Sequence, residues 1–444
     1  MNRTRIKRIL CALPIAALSL SLPLIPGGVA ADREGDSPLS AVPDGSGYVY
    51  AADAPPTADH MIRVHLSSLG SPVSVALNVA GSYTVQENGL AIAGAVTASA
   101  DALTGGVNVA YGGVTYPLGG DILLKAATQR VTDHLTINGK NFPGDLRIMN
   151  KGGKLKLISH VDMETYALGV VPYESGNSKS YVEAGKAQAV AARSYAYYVM
   201  NSRNRLEQEH DIVNTTASQV YNGYDEKYTY ANYAVTSTAC QILQTPSGGN
   251  VYARYSASNG GHTEFNRSSG NYPYLPYKDD PYDLNFALTH SNYSASVTIP
   301  KSISVQDLKS NGAQPYVMLR SAMIMSGVDP AALPDGFVSV KQIALTHPRY
   351  TDNNTERSYT GAIFTLGLTT GVDKDIVFGP YVDSSGVKRP FLNDKLGLSD
   401  KSKFAMLYLR DDGDSFLLAA VRYGHAVGMS QIGAFQMSVN GSSY

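Results

Sequence analysis

Residues 182–201 read VEAGKAQAVAARSYAYYVMN, a helix-length run in which alanine, valine and tyrosine follow one another with almost no polar face. A helix that is apolar nearly all round has no side to offer water, so the rest of the chain must wrap it. Ser180-x-x-Glu183 has the form of a capping box, which predicts a helix starting near Tyr181 and running to about Asn201. Gly185 inside it weakens it by roughly 1 kcal/mol relative to alanine. Lys186 and Arg193 are seven residues apart and share a face with Glu183 close by; they form either a solvated rim with an ion pair or the polar wall of a cleft. Gln188 lies about 200° round from Lys186, among alanines and valines. A buried amide needs hydrogen-bond partners, so Gln188 either holds the neighbouring loop or braces backbone.

The segment before this helix, YALGVVPYESG (Tyr166 to Gly176), predicts a strand-like apolar run, Leu168 to Val171, that ends at Pro172, Tyr173 and Glu174. A single carboxylate is thereby placed where the run hands over to a buried helix, with Pro172 and Tyr173 beside it to exclude water. Desolvation favours the protonated form of a carboxyl group, and a protonated Glu at neutral pH is a general acid. Taken alone, such a Glu is also an ordinary loop residue.

Upstream the pattern is different. Ile62, Val64 and Leu66, then Val73, Val75, Leu77 and Val79, then Leu146 and Ile148, then Leu155 and Leu157 against Lys154 and Lys156 all alternate with period two, between Gly, Asn and Ser turns. These are half-buried strands, so residues 60–160 are expected to be mostly β. Residues 270–420 are expected to mix strands with one helix around Val317 to Met325. The predicted class is α+β, with β-rich layers around one long buried helix. Residues 32–59, rich in Pro, Ser, Gly and Ala, read as a flexible linker.

Residues 1–31 have the form of an export signal: Arg3, Arg5, Lys7 and Arg8, then an apolar stretch from Ile9 to Leu24, then Val29-Ala30-Ala31. Cleavage there leaves 444 minus 31, or 413, residues and a charge of 32 minus 37, or −5. That balance argues against a nucleic-acid partner recruited by net charge. Cys240 would then be the only cysteine, without an internal disulfide, and a hydrophobic core must carry stability. The 30 tyrosines suit a saccharide cleft, but they suit strands equally.

Two further segments carry chemistry. GHAVGMSQIGA (Gly424 to Ala434) sets three glycines around His425, Ser430 and Gln431. Ser430 is placed to cap a short helix whose amides face a polar ligand. His425 is either structural or part of a cleft. The glycine spacing is not that of a nucleotide loop, because Ala434-Phe435 follows where Lys-Ser/Thr is needed. SNGGHTE (Ser258 to Glu264) is a turn whose Ser258 and Thr263 hydroxyls either bind sugar hydroxyls or close a hairpin. No H-E-x-x-H or G-x-S-x-G occurs, and Cys240 has no readable base partner.

Together these blocks resemble the SpoIID/LytB family, whose pattern is roughly Y-x-x-G-V-V-x-x-E followed by L-K-A-Q-A-V-A-A-R-[ST]-Y-A and later G-H-G-V-G-M-S-Q-W-G-A. Tyr166, Gly169, Val170, Val171 and Glu174 match the first, Lys186 to Ala196 the second, and Gly424 to Ala434 the last. NTTASQVYNGY (Asn214 to Tyr224) and YSASNGGHTE (Tyr255 to Glu264) fall between them in the family's order. The resemblance covers roughly residue 60 to the end, with 60–160 as a β-rich part and 161–444 as the core.

It implies a secreted cell-wall protein of one of two kinds. One is a peptidoglycan lytic transglycosylase with Glu174 as its single acid/base, since that reaction needs one carboxyl group where glycoside hydrolases usually need two. The other is a non-catalytic enhancer of an N-acetylmuramoyl-L-alanine amidase. Retention of the Glu174 block favours the enzyme. The same resemblance implies that Gln188, Arg193, Ser258, Thr263, His425, Ser430 and Gln431 contact the glycan strand. No cofactor is implied. Some relatives bind zinc in the block that here reads Thr215, Thr216, Ala217 and Ser218, which supply no soft ligand. Ile432 stands where relatives have Trp, which weakens a stacking or packing role there. The chain stops ten residues after Ala434, so it is expected to lack the family's last element.

Overall fold

Alternation upstream of residue 160 produces one large sheet. The structure, a computed structural model, describes residues 5–8, 60–202, 205–265, 272, 274–351, 356–379, 381–382, 388–389 and 404–444. It is α+β and divides into two units, Met1–Ala253 with Ser443–Tyr444, and Arg254–Ser442. The linker at 32–59 and the segment 393–403 lie outside the described residues. So does the export signal, apart from Arg5–Arg8. Those four residues form a strand antiparallel to Gln241–Gln244. Among the described residues no helix is long and apolar enough to cross a membrane.

In the first unit the sheet has eleven strands. Its path runs Ile212–Val213, Met61–His65, Leu155–Asp162, Asp145–Asn150, Asp121–Ala126, Ser74–Val85, Leu90–Ala100, Val107–Tyr111 and Val114–Leu118. His134–Ile137 branches from Ser74–Val85 and pairs with Lys140–Pro143. Val75, Leu77 and Val79 point into the core while their neighbours face water, as period-two patterning requires.

Four helices follow the sheet: α1 Met163–Leu168, α2 Val171–Ser175, α3 Val182–Ser202 and α4 Thr229–Ser237. Of the 21 residues of α3, 14 are buried, and Ala192, Ala196, Tyr197, Val199 and Met200 join the sheet's own core cluster. The strand-like run expected at Leu168–Val171 is instead the junction of α1 and α2. The reasons are local. Asp162 caps α1, accepting from the Glu164 and Thr165 amides at 2.9 and 3.1 Å. Pro172 sits in the first turn of α2, where its missing N–H is no loss. The helix α3 is entered through a 3-10 turn at Lys179–Tyr181, and the Glu183 carboxylate pairs with Lys186 at 2.6 Å.

The second unit holds a three-stranded sheet (Ala295–Pro300, Ser415–Tyr423, Phe404–Asp411) and a four-stranded one (Ser302–Ser304, Phe337–Tyr350, Arg357–Gly367, Asp373–Phe378). Its helices are α5 Pro281–Thr289, α6 Val305–Ser310, α7 Tyr316–Met325 and α8 Gln431–Val439. Only α7 was expected between residues 270 and 420. The starts of the two extra helices carry readable signals: Asp280 before Pro281, and Ser304, whose hydroxyl accepts from the Asp307 amide at 3.0 Å.

Cys240 is not a lone thiol. It is disulfide-bonded, and the chain's other cysteine, Cys11, lies outside the described residues. The expectation of a free Cys240 rested on removal of residues 1–31.

Candidate active site

Glu174 occupies the last turn of α2 and is half-buried. Its Oε1 accepts the Val220 amide at 2.8 Å. Tyr173 packs edge-to-face on Tyr228 at 5.3 Å between centroids; burial, with Tyr228 and Asp225 adding, holds its phenol well above the ordinary value. Pro172 is buried. The carboxyl group is thus half-buried, and an amide pins one of its oxygens.

That amide belongs to the Asn214–Tyr224 block, which is stitched along the Glu174 segment. The Tyr166 hydroxyl donates to Gln219 Oε1 at 2.8 Å in a fully buried setting. Tyr166 and Tyr221 pack with centroids 5.2 Å apart. The Asn222 amide donates to the Gly169 carbonyl at 3.0 Å. A side chain at Gly169 would meet the Tyr221 ring at 2.4 Å, so glycine is what admits this approach. Asn177, in the turn after α2, accepts the Tyr230 and Ala231 amides at 2.8 and 3.0 Å and so caps α4.

Arg193 is neither a solvated rim residue nor a cleft wall. It has no exposed surface. Its guanidinium donates to Glu164 Oε2 at 3.0 and 2.7 Å, to Thr238 Oγ1 at 3.1 Å and to the Val235 carbonyl at 2.7 Å. It therefore ties α3 to α1 and α4 from inside. The same Glu164 accepts the Cys240 amide at 3.0 Å. Gln188 is also buried. Asp162, at the base of α1, is raised to about 6, chiefly by desolvation against the opposing bonds from Thr165 and Glu164.

The remaining expected site residues belong to the second unit, and two of them, Ser258 and Ser430, meet on a carboxylate the sequence did not flag. Buried Asp283 on α5 accepts from Ser258 Oγ (3.0 Å), the Asn259 and Gly260 amides (2.8 Å each) and Ser430 Oγ (2.5 Å). Desolvation raises its pKa, against the Ser430, Asn259 and Ser258 bonds. Ser430 caps α8 as expected, accepting the Gly433 amide at 3.0 Å. Ser258 is fully buried, so its hydroxyl serves this hub and is not offered to a sugar. Thr263 likewise donates to the Pro276 carbonyl at 2.8 Å, closing its turn.

Gln431 is buried at the start of α8, and Ile432 has no exposed surface. Ile432 is thus a packing residue after all. Gly428 takes φ +78°, and a side chain there would stand 2.0 Å from the Arg254 carbonyl. That close approach lets Met429–Ser430 pair in parallel with Tyr255–Ser256. His425 stays exposed as a residue, and its Nδ1 accepts the Val427 amide at 2.9 Å. Its pKa is lowered to about 4, first by desolvation of the ring, then by Arg254 and Arg422. The neutral ring is what an accepting Nδ1 requires.

A second hub was also missed. Glu264 is 1% exposed and bonds to Arg357 at 3.1 Å and to the Ser358 hydroxyl at 2.7 Å, with Arg422 at 3.5 Å and His262 at 3.6 Å. Burial pushes its pKa up, but His262, Ser358, Arg357 and Arg422 together hold it below the usual range. Arg357 is covered by Tyr277, Phe265 and Tyr350 at 5.0–5.4 Å. Among the described residues no group of three or more His, Cys, Asp or Glu is disposed to hold a metal ion.

The structure thus brings Glu174, Gln188 and Arg193 into the first unit and Ser258, Thr263, His425, Ser430 and Gln431 into the second.

Comparison with known proteins bears on the first group. The family described as Stage II sporulation protein, SpoIID, matches residues 151–244. An uncharacterised protein of Brachyspira hyodysenteriae is 37% identical over 134 residues, 30% of this chain and 35% of that protein. A Bacillus subtilis protein named Amidase enhancer is 27% identical over 297 residues, 62% of this chain and 38% of that protein. The chain therefore spans little more than a third of the length of these curated relatives. The segment that matches the SpoIID family holds all of α1 to α4, Glu174 and the block that pins it.

Proposed function

We propose that this chain is an exported peptidoglycan lytic transglycosylase in which Glu174 is the only acid/base. The observation that carries this reading is the setting of Glu174: one half-buried carboxyl group in the last turn of α2, with Oε1 held by the Val220 amide. In this reading the Glu174 carboxyl group starts protonated. That proton passes to the glycosidic oxygen as the C1–O bond breaks. The C6 hydroxyl oxygen of the muramic acid residue then bonds to C1, and Glu174 takes the hydroxyl proton. Atoms and charge balance without water, and the product is a 1,6-anhydro sugar. One fixed carboxyl group in a site that excludes solvent suffices for both proton transfers.

A second reading is favoured by the relative named Amidase enhancer: the chain stimulates a cell-wall amidase and cleaves nothing. Glu174→Gln separates the two. It keeps the shape and the acceptor for Val220 but cannot cycle a proton. Under the first reading, wild type releases anhydromuramyl ends from purified glycan strands, seen by mass, and Glu174→Gln loses about 10²–10⁴-fold of the rate with its melting temperature retained. Under the second, neither protein makes anhydro product and both stimulate a partner amidase equally. Equal cleavage by the two proteins would remove Glu174 from the chemistry.

A further inference from the structure

The amide that holds Glu174 lies in the peptide unit joining Gln219 to Val220, so its direction depends on how the residues around it are anchored. Gln219 has no exposed surface and is anchored at both ends of its amide. Its Oε1 accepts the Tyr166 hydroxyl of α1 at 2.8 Å, and its Nε2 donates to the Ala192 carbonyl of α3 at 3.3 Å. Tyr166 has no exposed surface either. On the far side of Val220, Tyr221 is again fully buried, against Tyr166 and Phe142 at 5.2 and 5.8 Å between centroids. Val220 itself is only half-buried.

The two neighbours of Val220 therefore carry the anchorage. Hydrogen bonds are directional and apolar contacts are not. Packing alone would bury residue 219, whereas its two bonds also fix the rotation of the segment.

We infer that Gln219 is a positioning residue for Glu174: held by Tyr166 and Ala192, it aims the Val220 amide at the carboxyl oxygen. A donor aimed there supports the negative charge left when the proton departs. That chemical consequence rests on the transglycosylase reading. The aiming itself is read without substrate, from the titration of Glu174, because a donor to a carboxylate favours its ionised form.

The experiment follows the Glu174 carboxyl signal by NMR in protein carrying isotope-labelled glutamate, assigned by its loss in Glu174→Gln. Gln219→Met keeps the side-chain length and loses both bonds; Tyr166→Phe loses one hydroxyl and carries the test if Gln219→Met does not fold. A hydrogen bond to a charged group corresponds to about one to two pH units, so each variant should move the titration midpoint up by about one. With the charge part-formed in the transition state, kcat for anhydromuramyl release should fall about tenfold at unchanged KM. Ser194→Ala is the control. Its hydroxyl is also buried on α3, donating to the Val190 carbonyl at 2.6 Å and accepting the Leu243 amide at 2.8 Å. It should lower the melting temperature and leave midpoint and kcat in place.

An unmoved midpoint in the folded Gln219 and Tyr166 variants, or an equal shift in Ser194→Ala, would overturn the inference. Anhydro product with an unmoved midpoint removes the positioning role alone. A shifted midpoint without anhydro product from wild type supports the positioning and removes the transglycosylase reading.

Discussion

Arg193→Ala tests whether the polar groups on α3 serve the fold or the ligand. The guanidinium has no exposed surface and makes four hydrogen bonds, two to Glu164 and one each to Thr238 and the Val235 carbonyl. Removing one member of a buried ion pair destabilises by about 3–5 kcal/mol, because the partner charge stays behind unpaired. Glu164 retains 20% side-chain exposure and the Cys240 amide, so part of its solvation returns and the lower end of that range applies. The Val235 carbonyl keeps the Thr238 amide at 3.2 Å and so adds little. About 3–4 kcal/mol is therefore expected, or a fall in melting temperature of about 6–16 °C for a unit of this size.

The assay is urea and thermal unfolding of wild type, Arg193→Ala, and the double variant Arg193→Met with Glu164→Gln. The double variant removes both charges and should recover at least half of the loss. Glycan binding per folded molecule should be unchanged in all three. A single variant within about 1 kcal/mol of wild type that binds glycan tenfold more weakly would show that Arg193 faces ligand, and the buried-brace argument would fail.

Ser430→Ala removes a helix cap, about 1 kcal/mol, and the 2.5 Å donor to buried Asp283, about 1–3 more. A loss of about 2–4 kcal/mol in denaturant titration is expected, with Ser430→Thr recovering most of it; a loss under about 0.5 would refute the hub. Asp162 has a folded pKa of about 6 against an ordinary value of 3.8. The folded state therefore binds the proton more tightly than the unfolded one. The stability this contributes is complete below pH 3.8 and is lost as pH rises through about 6. Wild type should weaken relative to Asp162→Asn, itself a good cap, between about pH 4 and 6.5. Parallel stability profiles for the two proteins would contradict this.

The fold was legible where periodicity is local. Val75, Leu77 and Val79 announce a strand because alternate residues face one core, and that pattern survives in the structure. The 182–201 run announces a buried helix for the matching reason, and α3 spans Val182–Ser202. Leu168–Val171 was misread because four apolar residues suit a strand, a helix junction or a core turn equally well. What decided the outcome was Asp162, several residues upstream, acting as a cap. The Asp280-Pro281 start of α5 was a readable signal that went unused.

The hubs were illegible for a different reason. Asp283 reaches Ser258 across 25 residues and Ser430 across 147; Glu264 reaches Arg357 across 93. A buried carboxylate is identified by what is folded against it, and no spacing rule reports partners at such separations. Its donors can be noticed first, and here Ser258 and Ser430 were, as supposed sugar contacts. Glu174 escaped that limit because its partners form a second ordered segment. Tyr166 ties to Gln219, Gly169 to Tyr221 and Asn222, and Glu174 to Val220, 46 residues on. The two blocks are thus one structural object written twice along the chain. A substitution in the Asn214–Tyr224 block should therefore move Glu174 as directly as one beside it, and loss of the Gly169–Tyr221 approach should disturb the carboxyl group with Glu174 itself untouched.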